Sequence, residues 1–243
     1  MKIELAGVSK RYASIDNLSL TLEDGRAAAL VGESGSGKST LARLISLLEK
    51  PDGGEIRFNG ENTAKLRGEA RRKMRADMQL ILQNAPAALD PRVRVGGSVA
   101  EPLRNLTRLS RVEIAGRVSE ICERVSLAPE LLTRLPHELS GGQLKRVCFA
   151  RGLVTAPDFV VFDEVTSGLD PPLRERILAL IVKLKKESLN SFLFITHDMD
   201  AALRVADRVL VMKDGAIVED ADVEDGRAAF RHEYARLLLE SEI

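Results

Sequence analysis

The stretch Gly32-Glu33-Ser34-Gly35-Ser36-Gly37-Lys38-Ser39-Thr40 constrains this chain more than any other feature of it. An apolar run, 27–31, leads into it, and a helical pattern over 39–48 comes after it. A strand that enters a G-x-x-x-x-G-K-[ST] loop and leaves as a helix is built to wrap a phosphate chain. The glycines let the backbone turn its N–H groups inward, and the helix N-terminus adds partial positive charge. Lys38 is then a point charge for the β- and γ-phosphates, and the Ser39 hydroxyl a Mg²⁺ ligand. Nucleotide binding is dictated by the loop; what is done with the nucleotide is not.

The rest of the chain agrees with a loop of this kind. Short apolar or β-branched runs recur at 3–8, 18–22, 27–31, 55–58, 78–82, 159–162, 192–195 and 208–212. Several are continuous, as in strands buried on both faces of a mainly parallel sheet. Between them lie helical patterns, such as Leu173, Ile177, Leu180, Ile181 and Leu184. Strands alternating with helices predict an α/β fold. From 84 to 153 no strand pattern is found, only helical stretches such as 112–125, punctuated by Pro86, Pro91, Pro102, Pro129 and Pro136. That segment is expected to be an inserted helical subdomain, between core segments 1–83 and 154–243. The basic run at 67–75 contains Glu69 and is succeeded by Asp77, and reads as a solvated helix face.

Composition removes several classes of function. Lys+Arg and Asp+Glu both number 36, so no basic excess argues for nucleic acid. Aromatics make up 4% with no Trp, which leaves no stacking platform for single strands. No apolar run approaches the roughly 18–20 residues that span a bilayer, and Met1-Lys-Ile-Glu-Leu is no export signal. Cys122 and Cys148 form no Cys-x-x-Cys pair and read as buried thiols. A cytosolic chain with, at most, a peripheral membrane role is expected.

Two further motifs carry chemistry. The apolar run 159–162 ends in Asp163 and Glu164, two carboxylates at the strand edge where ligands bind in open α/β sheets. Asp163 is placed to hold the Mg²⁺ shell, and Glu164 to orient or deprotonate an attacking water. Neighbouring strand residues face opposite ways, which predicts different tasks for the two. Ser140-Gly141-Gly142-Gln143 opens a helix and exposes N–H groups and a hydroxyl, a second anion site in one chain. One γ-phosphate does not need two cradles from one polypeptide. Two copies meeting head to tail, each completing the other's site, account for both.

With these residues in view, the chain resembles the ABC-type ATPases over nearly its whole length. Leu139–Gln143 resembles their signature motif, Gln83 their Q-loop glutamine, Ser167-Gly-Leu-Asp170 their D-loop and His197 their switch histidine. Tyr12 is similar to the aromatic that stacks on adenine. The resemblance implies a P-loop NTPase (RecA-like) core with a mainly parallel sheet, an antiparallel β edge and the inserted helical subdomain. It also implies two subunits that sandwich two ATP–Mg²⁺, with ATP hydrolysis driven by Glu164 and His197. Gln83 would touch metal and water and link them to the helical lobe; Asp170 would communicate across the dimer.

The stretches 83–92, Glu101-Pro-Leu-Arg104 and 136–143 resemble the peptide/nickel importer branch, and 143–148 its nickel or metallophore subgroup. The tail His232-Glu233-Tyr234 is similar to that branch's His-Pro-Tyr pattern, with Glu233 replacing the proline. Val165 stands where the family usually has proline. The chain stops at Ile243 without the cysteine-bearing extension of some relatives, so no iron–sulfur cluster is expected. The resemblance to this branch implies an importer ATPase at the cytoplasmic face of the cell membrane, powering uptake of nickel, a metal chelate or small peptides. Its expected partners are a second ATPase subunit (identical or paralogous), integral-membrane permease subunits and, indirectly, a substrate-binding protein. The alternative is a non-transport relative serving a multi-enzyme complex of the carbon–phosphorus lyase kind.

Overall fold

A computed structural model describes residues 1–83, 85–187, 189 and 191–240. Asn84, where the inserted lobe is expected to open, and Ile243 lie outside the described residues. The elements run β1 (Ile3–Lys10), β2 (Ile15–Leu22), β3 (Ala27–Val31), α1 (Lys38–Ile45), β4 (Gly53–Phe58), β5 (Glu61–Asn62), α2 (Gly68–Asp77), β6 (Met78–Ile81), α3 (Val95–Leu106), α4 (Arg111–Arg124) and α5 (Gly141–Leu153). They continue with β7 (Phe159–Asp163), α6 (Pro171–Glu187), β8 (Phe192–Thr196), α7 (Met199–Val205), β9 (Arg208–Lys213), β10 (Ala216–Asp222) and α8 (Glu233–Glu240). They form two compact units, Met1–Leu66 with Val161–Ile243, and Arg67–Val160.

In the first unit the continuous apolar runs become strands buried along their whole length, β3 and β8 among them. β3 lies parallel between β8 and β9, with Val31 opposite both Thr196 and Val211. The strand order is β10-β9-β3-β8-β7. A second, antiparallel sheet has the order β2-β1-β4-β5. Together they make the expected α/β fold with an antiparallel part.

Two strands were not anticipated, β5 and β10, and each is preceded by a two-residue turn. Asn59-Gly60 and Asp214-Gly215 have positive φ at both residues, 48° and 83°, and 48° and 80°. Such a turn matches the twist of the paired strands, and Asn-Gly or Asp-Gly tolerates it best. α6 buries Ile177, Leu180, Ile181 and Leu184, as their spacing predicts. Phe162 and Phe192 meet edge to face at 5.6 Å, and each fully buried ring of this size contributes about 1.5–3 kcal/mol.

In the second unit α3 packs on α4 and α5, and α5 on β6. Between 85 and 153 the described residues contain helices and no strand. α4 begins with a reciprocal cap: Glu113 N–H donates to Ser110 Oγ at 3.3 Å, and Ser110 N–H to the Glu113 carboxylate at 2.7 Å. Pro102 falls inside α3 instead of ending it, at the cost of one helical N–H. The basic run lies in and just before α2, where Glu69 accepts from Arg72 and Arg108, both at 2.8 Å. Cys122 and Cys148 are buried, and burial pushes the Cys148 thiol up to about 11.

Candidate functional site

β3 delivers the chain to the phosphate loop, and the loop's shape depends on close packing. A Cβ on Gly32 would lie 2.2 Å from the Met212 carbonyl oxygen, so only glycine fits. Gly35 and Gly37 have φ of +86° and +105°, a backbone that side chains disfavour. Gly215, in the β9–β10 turn, donates its N–H to the Ser36 carbonyl at 3.0 Å. The hairpin thus braces the loop from behind, and the next turn is α1.

Lys38 is 4% exposed. Its ammonium donates to the Gly32 carbonyl at 2.7 Å and the Glu33 carbonyl at 2.6 Å, and lies 3.3 Å from Ser36 Oγ. Burial pulls its pKa below the ordinary lysine value, while the charges of Glu164, Asp163 and Glu33 hold it up. Ser39 Oγ donates to the Asp163 carboxylate at 3.1 Å. Burial pushes Asp163 up; the Ser39 hydrogen bond opposes this, and the Glu164 charge adds to it. Ser36 and Thr40 are buried, while Glu33, Ser34 and Gly35 are exposed.

Glu164 is not the next residue of the strand. β7 ends at Asp163, and Glu164 has φ +48°. Its N–H donates to the Ile195 carbonyl at 3.0 Å, and its carbonyl accepts from Ser167 at 3.1 Å. The left-handed backbone at Glu164, not the pleat of the strand, sets where its side chain leaves the chain. A left-handed glutamate costs energy that the surrounding bonds must hold in place. Val165, beside it, is fully buried.

His197 is exposed just past β8. Its neighbours hold it: Thr196 Oγ1 accepts from Asp198 N–H at 3.1 Å, and Asp198 caps α7 through Ala201 N–H at 2.8 Å. Asp198 also pairs with Arg174 of α6. Asp170 is exposed and its carbonyl accepts from Leu173 and Arg174 at the start of α6. Arg174 therefore ties the segment of Asp170 to that of His197. Tyr12 is 63% exposed; its hydroxyl donates to Glu49 at 2.6 Å, and the Lys10 ammonium sits 5.4 Å from the ring centroid.

Gln83 and Ser140–Gln143 belong to the second unit. Ser140 caps α5: Gln143 N–H donates to its Oγ at 3.3 Å, and Ser140 N–H donates to Gln143 Oε1 at 2.9 Å. A Cβ on Gly141 would meet open space. Gln83 lies just past β6, and its carbonyl accepts from the Lys145 ammonium of α5 at 2.6 Å. Lys145 is buried, and burial lowers its pKa.

Sequence reading did not single out Lys145, Arg174, Asp198 or Gly215. Asp198 carried a local signal, an Asp before a helical run. The others act on residues far away in the chain. Among the described residues no group of three or more His, Cys, Asp or Glu is placed to hold a metal.

The family model described as ABC transporter matches residues 15–167. The chain is 41% identical over 237 residues to the nickel import ATP-binding protein NikE of Brucella abortus, covering 98% of this chain and 89% of that protein. The protein of the same name from Rhodospirillum rubrum is 40% identical over 236 residues, covering 97% and 85%. A similar solved structure is the ATP-binding cassette MJ0796 as a post-hydrolysis dimer bound to ADP and Pi. It matches with TM-score 0.80 and 28% identity, over 91% of this chain and 99% of that one. Another is cbiO1 from Clostridium perfringens, part of the ABC transporter complex cbiONQ, with TM-score 0.81 and 27% identity over 99% and 91%.

Proposed function

We propose that this chain, which belongs to the ABC transporter family, powers uptake of nickel or a small metal chelate by hydrolysing ATP. It is an ATPase, the ATP-binding subunit of an importer. The observation that carries the nickel reading is 41% identity to a nickel import protein along 98% of the chain.

Gly32–Thr40 wraps the phosphates with its N–H groups, and Lys38, anchored on the Gly32 carbonyl, turns its other N–H groups to β- and γ-phosphate oxygens. Ser39 and Asp163 present two hard oxygen donors 3.1 Å apart, the donor type that Mg²⁺ selects, and one or two protein oxygens suffice when phosphates supply others. Bound with ATP, Mg²⁺ neutralises charge on the phosphates. Glu164 takes the proton of the water that adds to the γ-phosphorus as the bond to the β–γ bridging oxygen breaks. His197 holds the γ-phosphate, and Tyr12 stacks on adenine.

Ser140–Gln143 of a second subunit closes on the same ATP, and Asp170 signals across that seam. The helical segment receives the permease, and a separate binding protein supplies the cargo. Among the described residues no helix is long and apolar enough to cross a membrane. Attachment to the membrane is through the permease, at its cytoplasmic face.

Glu164→Gln tests the chemistry. The variant is expected to bind ATP normally, to lose turnover and to accumulate as an ATP-dependent dimer; hydrolysis at the parent rate would refute the assignment. Co-purification from detergent with a polytopic permease, then ATP-driven nickel uptake in proteoliposomes, tests the transport reading. Isolation instead with a soluble multi-enzyme assembly would refute it.

A further inference from the structure

Glu33 opens the phosphate loop with an exposed side chain, yet its backbone N–H is engaged. It donates at 3.1 Å to the hydroxyl oxygen of Tyr234, in α8. Tyr234 is 8% exposed, and the Lys213 ammonium sits 4.8 Å from its ring centroid. Its own N–H is accepted by His232 Nδ1 at 3.1 Å. Arg231 and His232 in turn donate their N–H groups to the carboxylate of Glu219, the latter at 2.7 Å. Glu219 lies on β10, in the hairpin whose Gly215 braces Ser36. The segment before α8 is therefore pinned to the same hairpin that supports the loop.

The peptide joining Gly32 to Glu33 makes this contact informative. A trans peptide is a rigid plate whose N–H and C=O point to opposite sides. Its N–H is held by Tyr234. Its C=O is that of Gly32, which accepts from the Lys38 ammonium at 2.7 Å. The second carbonyl on Lys38, that of Glu33 at 2.6 Å, belongs to the next peptide along the same backbone. Turning the plate to release Tyr234 would swing the Gly32 carbonyl away from Lys38.

We propose that Tyr234 is a positioning residue for Lys38, acting through this single peptide plane. The hydroxyl sets the plate, the plate sets the ammonium, and α8 thereby tunes nucleotide affinity from the far end of the chain. The proposal rests on Lys38 being the phosphate-binding lysine. Tyrosine suits the task because its ring packs under Lys213 while its oxygen accepts; phenylalanine supplies the ring without the acceptor.

The test is Tyr234→Phe beside Lys38→Ala, in the full-length protein, with ATP affinity, KM, kcat and unfolding midpoint measured together. Tyr234→Phe is expected to weaken ATP binding and raise KM about fivefold, the effect of one net hydrogen bond, with kcat changed less than twofold. Lys38→Ala should abolish productive binding. If Lys38→Ala binds ATP as the parent does, the reading of Lys38 fails. If Lys38→Ala fails to bind while Tyr234→Phe binds within twofold of the parent, the role given to Tyr234 is overturned. It is equally overturned if Tyr234→Phe lowers the midpoint by more than about 4 °C, beyond what one such bond explains in a chain of this size, and ATP affinity returns on cooling.

Discussion

Gly32→Ala should damage this protein in a way that no other glycine of the loop shares. The added methyl would stand 2.2 Å from the Met212 carbonyl oxygen and 3.0 Å from Ser36 Oγ. The first is backbone in a buried strand and cannot swing aside. Restoring an ordinary carbon–oxygen contact requires the loop and β9 to part by about 1 Å, and a displacement of that size costs on the order of a hundredfold in kcat/KM. Forcing a methylene into packed space costs about 2 kcal/mol, which for a chain of this length lowers the midpoint by about 4–8 °C. Gly35→Ala is the control. Nothing lies within 4 Å of its Cβ, but φ is +86°, so it should cost about 1–2 kcal/mol of backbone strain without collision. Steady-state ATPase assays and thermal unfolding of the two variants separate the cases. Parent-like kinetics and midpoint in Gly32→Ala would refute the argument that this contact shapes the cradle.

Two other outcomes are expected of the site. Lys38 binds phosphate as an ammonium, and burial depresses its pKa below 10.5. ATP affinity should therefore fall as pH rises through that depressed value, earlier than an exposed lysine would allow, whereas Lys38→Arg should remove this alkaline limb; titrations from about pH 7 to 10 check it. Ser140→Ala removes the oxygen that accepts from Gln143 N–H. It should cost about 1 kcal/mol of stability and suppress ATP-dependent dimerisation of the Glu164→Gln protein, read by size-exclusion chromatography; an undiminished dimer would remove Ser140 from the seam.

Much of the fold was legible because it is written in short-range patterns. The buried strands announce themselves as continuous apolar runs, and α6 as a helical repeat. The two tight hairpins leave a short-range mark in Asn59-Gly60 and Asp214-Gly215, but the strands after them do not: β5 is two residues long, and in β10 Ala216, Ile217 and Val218 give way to Glu219 and Asp220 without clean alternation. Pro102, one of the prolines that punctuate the helical region, sits within α3, where packing against neighbouring helices outweighs one missing hydrogen bond.

At the site, residue types and their order identify a loop for phosphates, a hydroxyl and two carboxylates from sequence alone, because each motif's chemistry resides in adjacent residues. The tertiary structure decided what holds them. It turned Glu164 out of the strand by a left-handed backbone, set Met212 against Gly32, joined Arg174 to Asp198, and brought Tyr234 to Glu33 across 201 positions of chain. A motif records what neighbouring residues can do together. Which distant backbone or hydroxyl meets it depends on strand register and on how the sheet stacks its ends, and those arise from the whole chain packing at once.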